Sequence, residues 1–375
     1  MLVKVREWQP DFGRGFQEEG HLFLKIGDEP AALGAFERAC DANPALEASW
    51  RIKAELLAKA GKAKESNLAK AQALRLQSLP KELLGVTNLI YEGKLLKAEK
   101  LCRNYLKKTP HHVEAMRLLA DIGIRLGVLE EAEFLLESAN KFDPDNIQIC
   151  IDYITVLRKR QKFARACEAA KALYDKEPDN PVFQSHYAVE SLQAGNFDMA
   201  LELFDKILEK LPEDVTTLTS KGHALKTIGE QESAIECYQK AGRVNPKMGD
   251  AFYALANLKT YRFSKGEVAV MQKTEASGEL LTNHHSQFCF ALGKAHEDQK
   301  EFGQAFTYYN RGNKLKRIQS RYNAEQMAEE MQAIQNACNI KLFDGHSGGC
   351  QAPDPIFIVG LPRAGSTLLE QILAS

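Results

Sequence analysis

The chain has 375 residues, 44% hydrophobic and 26% charged, with 49 Lys and Arg against 50 Asp and Glu for a net charge of −1. That composition supports a folded interior, and the charge balance excludes a global field that would draw in nucleic acid or an anionic membrane, so any anion site has to be local. No run approaches the ~18 apolar residues that a bilayer span needs, and Met1–Glu7 leads into Trp8, Pro10 and Asp11 without the apolar stretch of a signal peptide. Eight cysteines stand at irregular intervals with no CxxC pair; free thiols in a reducing, cytoplasmic setting are expected rather than a disulfide or zinc framework.

Along the chain the first element signals are prolines. Pro110, Pro144, Pro178, Pro212 and Pro246 recur every 34 residues, and Pro44 precedes Pro110 by 66, so the register slips once near Ser78-Leu79-Pro80. Twelve positions before each proline stands an alanine: Ala32, Ala98, Ala132, Ala166, Ala200 and Ala234. Seventeen before it stands a glycine, Gly27, Gly93, Gly127, Gly195 or Gly229, with Gln161 the exception. Glycine ends a first helix in the left-handed conformation, alanine lets two helices cross closely, and proline closes the second helix. Between them, stripes such as Tyr187, Ala188, Leu192, Ala200, Leu201, Phe204 and Ile207 fall at helical spacing. Trp50, Tyr238 and Phe252 occupy comparable packing positions.

Period and small-residue positions together resemble the tetratricopeptide-repeat family over roughly residues 13–319, as about nine units with an irregular eighth after Pro246. The resemblance implies an all-α superhelix with a concave groove that binds protein or peptide. Repeats of this family that grip a C-terminal carboxylate carry asparagine at positions that here hold His21, Glu55, Thr87, Asp121, Thr155, Val189 and His223, with only Asn257 matching. That mode is not expected. The run Arg158-Lys159-Arg160 could face the groove, or it could be a solvated helix end.

No metal site is expected. His111-His112 and His284-His285 are adjacent pairs, which point about 100° apart on a helix, and no third ligand stands at a metal-site spacing. Glu130-Glu131 and Glu329-Glu330 read as solvated helix faces.

After the repeats, Asn323–Ile340 reads as an amphipathic helix with Met327, Met331, Ile334 and Cys338 on one face. A Gly- and Pro-bearing stretch follows, so residues 320–354 read as connecting helix and linker. Residues 355–375 then read as the start of an α/β domain. Ile356–Val359 is a short apolar run suited to a buried strand, Gly360–Thr367 a tight turn, and Leu368–Leu373 the beginning of a helix. Strand, glycine-bearing turn and helix make a phosphate cradle, in which loop N–H groups and the helix N-terminus converge on an anion.

The spacing matches a nucleotide-binding loop, but Ser366 stands where a Walker A lysine would be, which counts against a P-loop kinase or NTPase. Pro355 to Leu373, with Pro362-Arg363-Ala364-Gly365-Ser366-Thr367 at its centre, instead resembles the first motif of sulfotransferases. The whole arrangement is similar to bacterial tetratricopeptide-repeat sulfotransferases related to the protein-tyrosine sulfotransferases. The resemblance implies that Arg363, Ala364, Gly365, Ser366 and Thr367 hold the 5′-phosphosulfate of 3′-phosphoadenosine-5′-phosphosulfate (PAPS). It further implies that Arg363 stabilises charge on the bridging and leaving oxygens as sulfuryl passes to an acceptor hydroxyl, possible acceptors including protein tyrosine. In that family the catalytic base and 3′-phosphate site would lie beyond Ser375, so the chain as given is expected to be inactive. The rival expectation is a repeat scaffold without catalysis.

Overall fold

A computed structural model describes residues 12–277, 280, 282–320, 322–342, 356–361 and 364–375. Among them, nine helix pairs follow one another: α1 (Gly13–Ile26) with α2 (Glu29–Ala42), α3 (Glu47–Lys59) with α4 (Ala63–Gln77), α5 (Lys81–Tyr91) with α6 (Leu95–Lys108), α7 (Val113–Leu126) with α8 (Leu129–Phe142), and α9 (Ile147–Lys159) with α10 (Phe163–Tyr174). The rest are α11 (Pro181–Gln193) with α12 (Phe197–Lys210), α13 (Val215–Ile228) with α14 (Gln231–Val244), α15 (Gly249–Asn257) with α16 (Lys265–Ala276), and α17 (Thr282–Asp298) with α18 (Phe302–Ser320). Two further helices, α19 (Ala324–Ala337) and α20 (Ser366–Ala374), complete the described chain.

The periodic residues do what their chemistry dictates. All six repeat alanines are fully buried, so each sits at a helix crossing that admits nothing larger than a methyl group. Gly27, Gly93, Gly127, Gly195 and Gly229 have φ between 72° and 93°, and at Gly127 the following turn N–H groups return to Gly123 and Ile124 carbonyls, closing the first helix. Asp214 and Asn146 then cap the next first helices, accepting from the N–H groups of Thr217 at 2.7 Å and Ile149 at 3.4 Å.

At the exceptional unit, Gln161 adopts φ 58°. A side chain in that region strains the backbone by roughly 1–2 kcal/mol. Gln161→Gly is therefore expected to raise stability by about 0.5–1 kcal/mol, read as a higher urea midpoint. An unchanged or lower midpoint would show that the Gln161 side chain contributes as much as the strain removes.

Three glycines inside first helices admit a ring from the second helix of the same pair. A Cβ at Gly20, Gly222 or Gly293 would lie 2.8, 2.5 or 2.6 Å from a ring atom of Phe36, Tyr238 or Tyr309. In each case the aromatic follows its glycine by 16 residues.

Two joints interrupt the stack. At Ser78-Leu79-Pro80, where the register slips, α4 does not pack along α5 as other second helices pack along the following first helix. The small cores around Phe36 and Leu56, and around Ala54 and Leu57, stay separate from the large core that begins at Leu83. Polar contacts cross the joint instead: Asn43 Nδ2 donates to Asn88 Oδ1 at 3.1 Å, and Arg14 pairs with Glu92 at 2.8 Å. At the irregular eighth unit, α15 does not lie along α16; α15 packs on α14 and α17, and α16 packs on α17.

No helix among the described residues is long and apolar enough to cross a membrane. Seven cysteines are free thiols among the described residues. Burial pushes Cys40, Cys102 and Cys289 up to about 12, leaving them protonated and inert at neutral pH.

Candidate functional site

The tail turn comes first because the sequence points there. Gly365 has φ 89°, a conformation that an L side chain resists, and it is the N-cap of α20 with no side-chain cap. The first N–H groups of a helix have no intrahelical acceptor, so this end is left ready for an anion. Ala364 N–H donates to Leu361 O at 3.1 Å, tightening the turn. Ser366 and Thr367 are exposed at the helix start. Arg363 lies outside the described residues, as do residues 343–355 and Pro362. Ile356–Val359, expected as a strand, has no strand pairing among the described residues, and Phe357 and Val359 are exposed. A strand exists only through a ladder to a neighbour, and no such neighbour is present among them. The apolar faces of α19 (Met327, Met331, Ile334) and α20 (Leu368, Ile372) are likewise exposed.

The second place is the inner row of first helices, where α5, α7 and α9 stand side by side. Two adjoining clefts of about 240 and 330 Å³ open there, sharing Tyr91 and Arg117 in their walls. Thr87 lines one, and Asp121, Thr155 and Lys159 line the other. Arg117 is held from both sides, by Glu114 at 2.7 Å and Asp152 at 3.1 Å. Arg125 pairs with Asp121 at 3.1 Å and lies over the Tyr91 ring. Fixed, mutually satisfied charges of both signs give a pre-organised polar surface suited to a peptide backbone and side chains.

The basic run beside this groove is mostly committed to intramolecular pairs. Arg160 Nη1 reaches Glu133 at 2.6 Å and Arg158 Nη1 lies 3.0 Å from Glu190; only Lys159 has no ion-pair partner among the described residues. Glu190 is fully buried, and Arg158 lies off its hydrogen-bond line, so neither carboxylate oxygen is satisfied among the described groups. Burial therefore pushes Glu190 up despite the Arg158 charge, and burial followed by that same charge pushes His186 down. Glu130 and Glu131 lie on a solvent-facing side of α8, 85% and 38% exposed, and pair there with Arg160 and Arg103.

The third place was invisible in the sequence. Glu275 of α16 and His285 and Cys289 of α17 converge, with donor atoms within 4.8 Å of one another. His285 Nε2 is 2.8 Å from Glu275 Oε1, so folding gives this histidine neighbours of ligating type, where the sequence was expected to hold no third ligand at a metal-site spacing. The positive charge there is already supplied: Arg311 Nη1 pairs with the same oxygen at 2.5 Å. Burial raises the Glu275 carboxyl, but the hydrogen bonds from His285 and Arg311 outweigh it and hold it below its ordinary value. The cluster pins the displaced α16 to α17 and α18. Elsewhere, His112 Nδ1 accepts from Ala115 N–H at 3.2 Å as a helix cap, and the His111 ring packs on Phe142.

Tetratricopeptide-repeat family models match residues 89–149, 154–215 and 215–248, and a sulfotransferase-family model matches residues 355–375. Among curated proteins, an uncharacterised protein of Aquifex aeolicus (strain VF5) is 24% identical over 301 residues, covering 77% of this chain and 39% of that protein. A CTR9 homolog of Arabidopsis thaliana is 33% identical over 67 residues, 18% of this chain and 6% of that one. The chain thus spans well under half the length of the curated relatives it matches.

Similar solved structures include a tetratricopeptide repeat protein from Parabacteroides merdae ATCC 43184 (13% identity, TM-score 0.45, 75% of this chain and 98% of that one). MamA from Desulfovibrio magneticus RS-1 also matches (13% identity, TM-score 0.40, 45% and 98%). So does YrrB, described as a repeat protein with an unusual peptide-binding site (17% identity, TM-score 0.38, 59% and 97%). The 34-residue period, the buried alanines and the three repeat matches have one explanation: the paired helices between Gly13 and Ser320 form a superhelix of tetratricopeptide repeats.

Proposed function

We propose that the chain joins a protein-binding superhelix to the donor-binding turn of a PAPS-dependent sulfotransferase. The observation that carries the enzymatic half is Gly365: left-handed, without a Cβ to obstruct an approaching anion, and opening an uncapped helix whose first residues are Ser366 and Thr367. Those residues fit a phosphosulfate. The main chain and the helix N-terminus supply N–H donors, the two hydroxyls supply adaptable donors, and Arg363 supplies the charge. PAPS brings the activated sulfuryl group; the turn binds and orients its 5′ end, and Arg363 stabilises charge gathering on the bridging and leaving oxygens. The groove between α5, α7 and α9 holds a protein or peptide and in this reading presents an acceptor hydroxyl, as on tyrosine, to the transferase domain. No metal is needed for this transfer.

The second reading, a repeat scaffold without catalysis, is favoured by extent. Repeat matches occupy residues 89–149 and 154–248, against only 355–375 for the sulfotransferase match. Calorimetry of the full-length protein with adenosine 3′,5′-bisphosphate separates the two. Binding is expected in wild type and at least about tenfold weaker binding in Arg363→Ala, since a charged hydrogen bond contributes roughly 1.5–3 kcal/mol. Equal affinity in the variant would remove Arg363 from the site, and no binding by wild type would leave the scaffold reading.

A further inference from the structure

A third inner-row cleft, of about 740 Å³, opens at the far end of the superhelix between α15, α17 and the start of α18. Its walls include Tyr253 and Phe290, whose ring centroids are 6.1 Å apart. Four cations line it, Lys259, Arg262, Lys294 and Lys300, against two acids, Glu297 and Asp298. Asp298 is shared by Lys294 and Arg262, and Glu297 accepts from Tyr309 Oη at 2.6 Å. Lys259 and Lys300 are exposed and have no ion-pair partner among the described residues. The cleft therefore carries a net excess of two positive charges beside an aromatic pair.

The backbone at those two lysines is the second observation. Lys259 has φ 59° and Lys300 φ 62°, and Gln161 is the only other non-glycine residue with positive φ among the described residues. Lys300 occupies the helix-ending position that glycine fills in most other units. Backbone strain is retained at two residues lining one cleft. Backbone strain of this kind clusters at binding sites.

We infer that this cleft binds an acidic peptide segment of a partner protein, its carboxylates between Lys259 and Lys300 and an aromatic or aliphatic side chain against Tyr253 and Phe290. Charge complementarity selects this occupant: a basic segment would meet uncompensated lysines, and an apolar one would leave both without counter-charge. The inference rests on the superhelix being a protein-binding module, and it adds to the groove at α5, α7 and α9 a separate contact site of stated chemistry.

Fluorescence anisotropy with labelled Glu-Glu-Tyr-Glu-Glu and Gln-Gln-Tyr-Gln-Gln peptides tests it in low and moderate salt. The acidic peptide is expected to bind at least tenfold more tightly and to weaken as salt rises. The Lys259→Gly/Lys300→Gly variant removes both charges while relieving the backbone, so it folds at least as well as wild type, and it is expected to lose that tenfold preference. Tyr253→Ala should weaken both peptides alike. Equal binding of the two peptides, or an unchanged preference in the double glycine variant, overturns the inference and leaves the groove reading standing. Failure of both peptides to bind overturns it too, and a panel of basic and apolar peptides then decides whether the superhelix binds peptides at all.

Discussion

Gly222→Ala is expected to destabilise the superhelix by about 2–3 kcal/mol, in the upper range for overpacking a well-filled core. The new methyl would lie 2.5 Å from Tyr238 Cε1. The ring has nowhere to retreat, because Tyr238 is fully buried and its hydroxyl is tied to His223 Nδ1 at 2.8 Å. Substitution of Gly34, where an added Cβ meets nothing within 4 Å, should instead gain roughly 0.5–1 kcal/mol from helix propensity alone. Urea midpoints for the two variants are expected to move in opposite directions. The Gly222→Ala loss should shrink in a Tyr238→Leu background, because the two side chains compete for one space. Additive losses would mean that the crossing yields by moving backbone rather than ring.

Glu133→Gln is expected to cost about 2–3 kcal/mol at pH 7. The carboxylate of α8 is 6% exposed and receives Arg160 at 2.6 Å, Lys162 at 2.8 Å and Arg165 at 2.9 Å. Neutralising it leaves three cations together over one buried amide. The loss falls below the 3–5 kcal/mol of a fully buried pair, because the cations are partly exposed and solvent screens them. Burial opposes the charge on Glu133, but hydrogen bonds from Lys162 and Arg160 outweigh it and hold the folded carboxyl below its ordinary value. A depressed folded pKa contributes stability that is fully present above the unfolded value near 4.3 and is lost as pH falls through the folded one. Wild type and variant should therefore differ at pH 7, converge as the solution is acidified below pH 4, and differ less in high salt. Equal urea midpoints at pH 7 would sink the prediction.

The fold was legible because each repeat is specified by residues whose effect is local. A proline stops a helix and an alanine admits a crossing wherever they stand, so Pro110 and Ala98 carry their meaning without knowledge of the partner. The 16-residue pairing of Gly20 with Phe36, Gly222 with Tyr238 and Gly293 with Tyr309 was equally periodic, and it could have been found by aligning the units on their alanines. The cluster of Glu275, His285, Cys289 and Arg311 could not. It depends on α16 having left α15 for α17, and nothing within Lys265–Ala276 states where that helix goes. The Arg158-Lys159-Arg160 run misleads for a similar reason: its acids, Glu133 and Glu190, lie 27 and 32 residues away in neighbouring units. At the tail, a tight turn over Gly360–Thr367 was legible, and the left-handed φ of Gly365 came only with the structure, whereas Arg363 lies outside the described residues.

The break at Ser78-Leu79-Pro80 has a mechanical corollary. Coils joined in series share a load, and the joint with the least packed surface is expected to bend first, so any swing of the first four helices against the rest is expected at Pro80. A guest lying wholly on one side of that elbow leaves its swing untouched. One that straddles it has to freeze the angle, and so holds on more weakly for the same number of touching atoms.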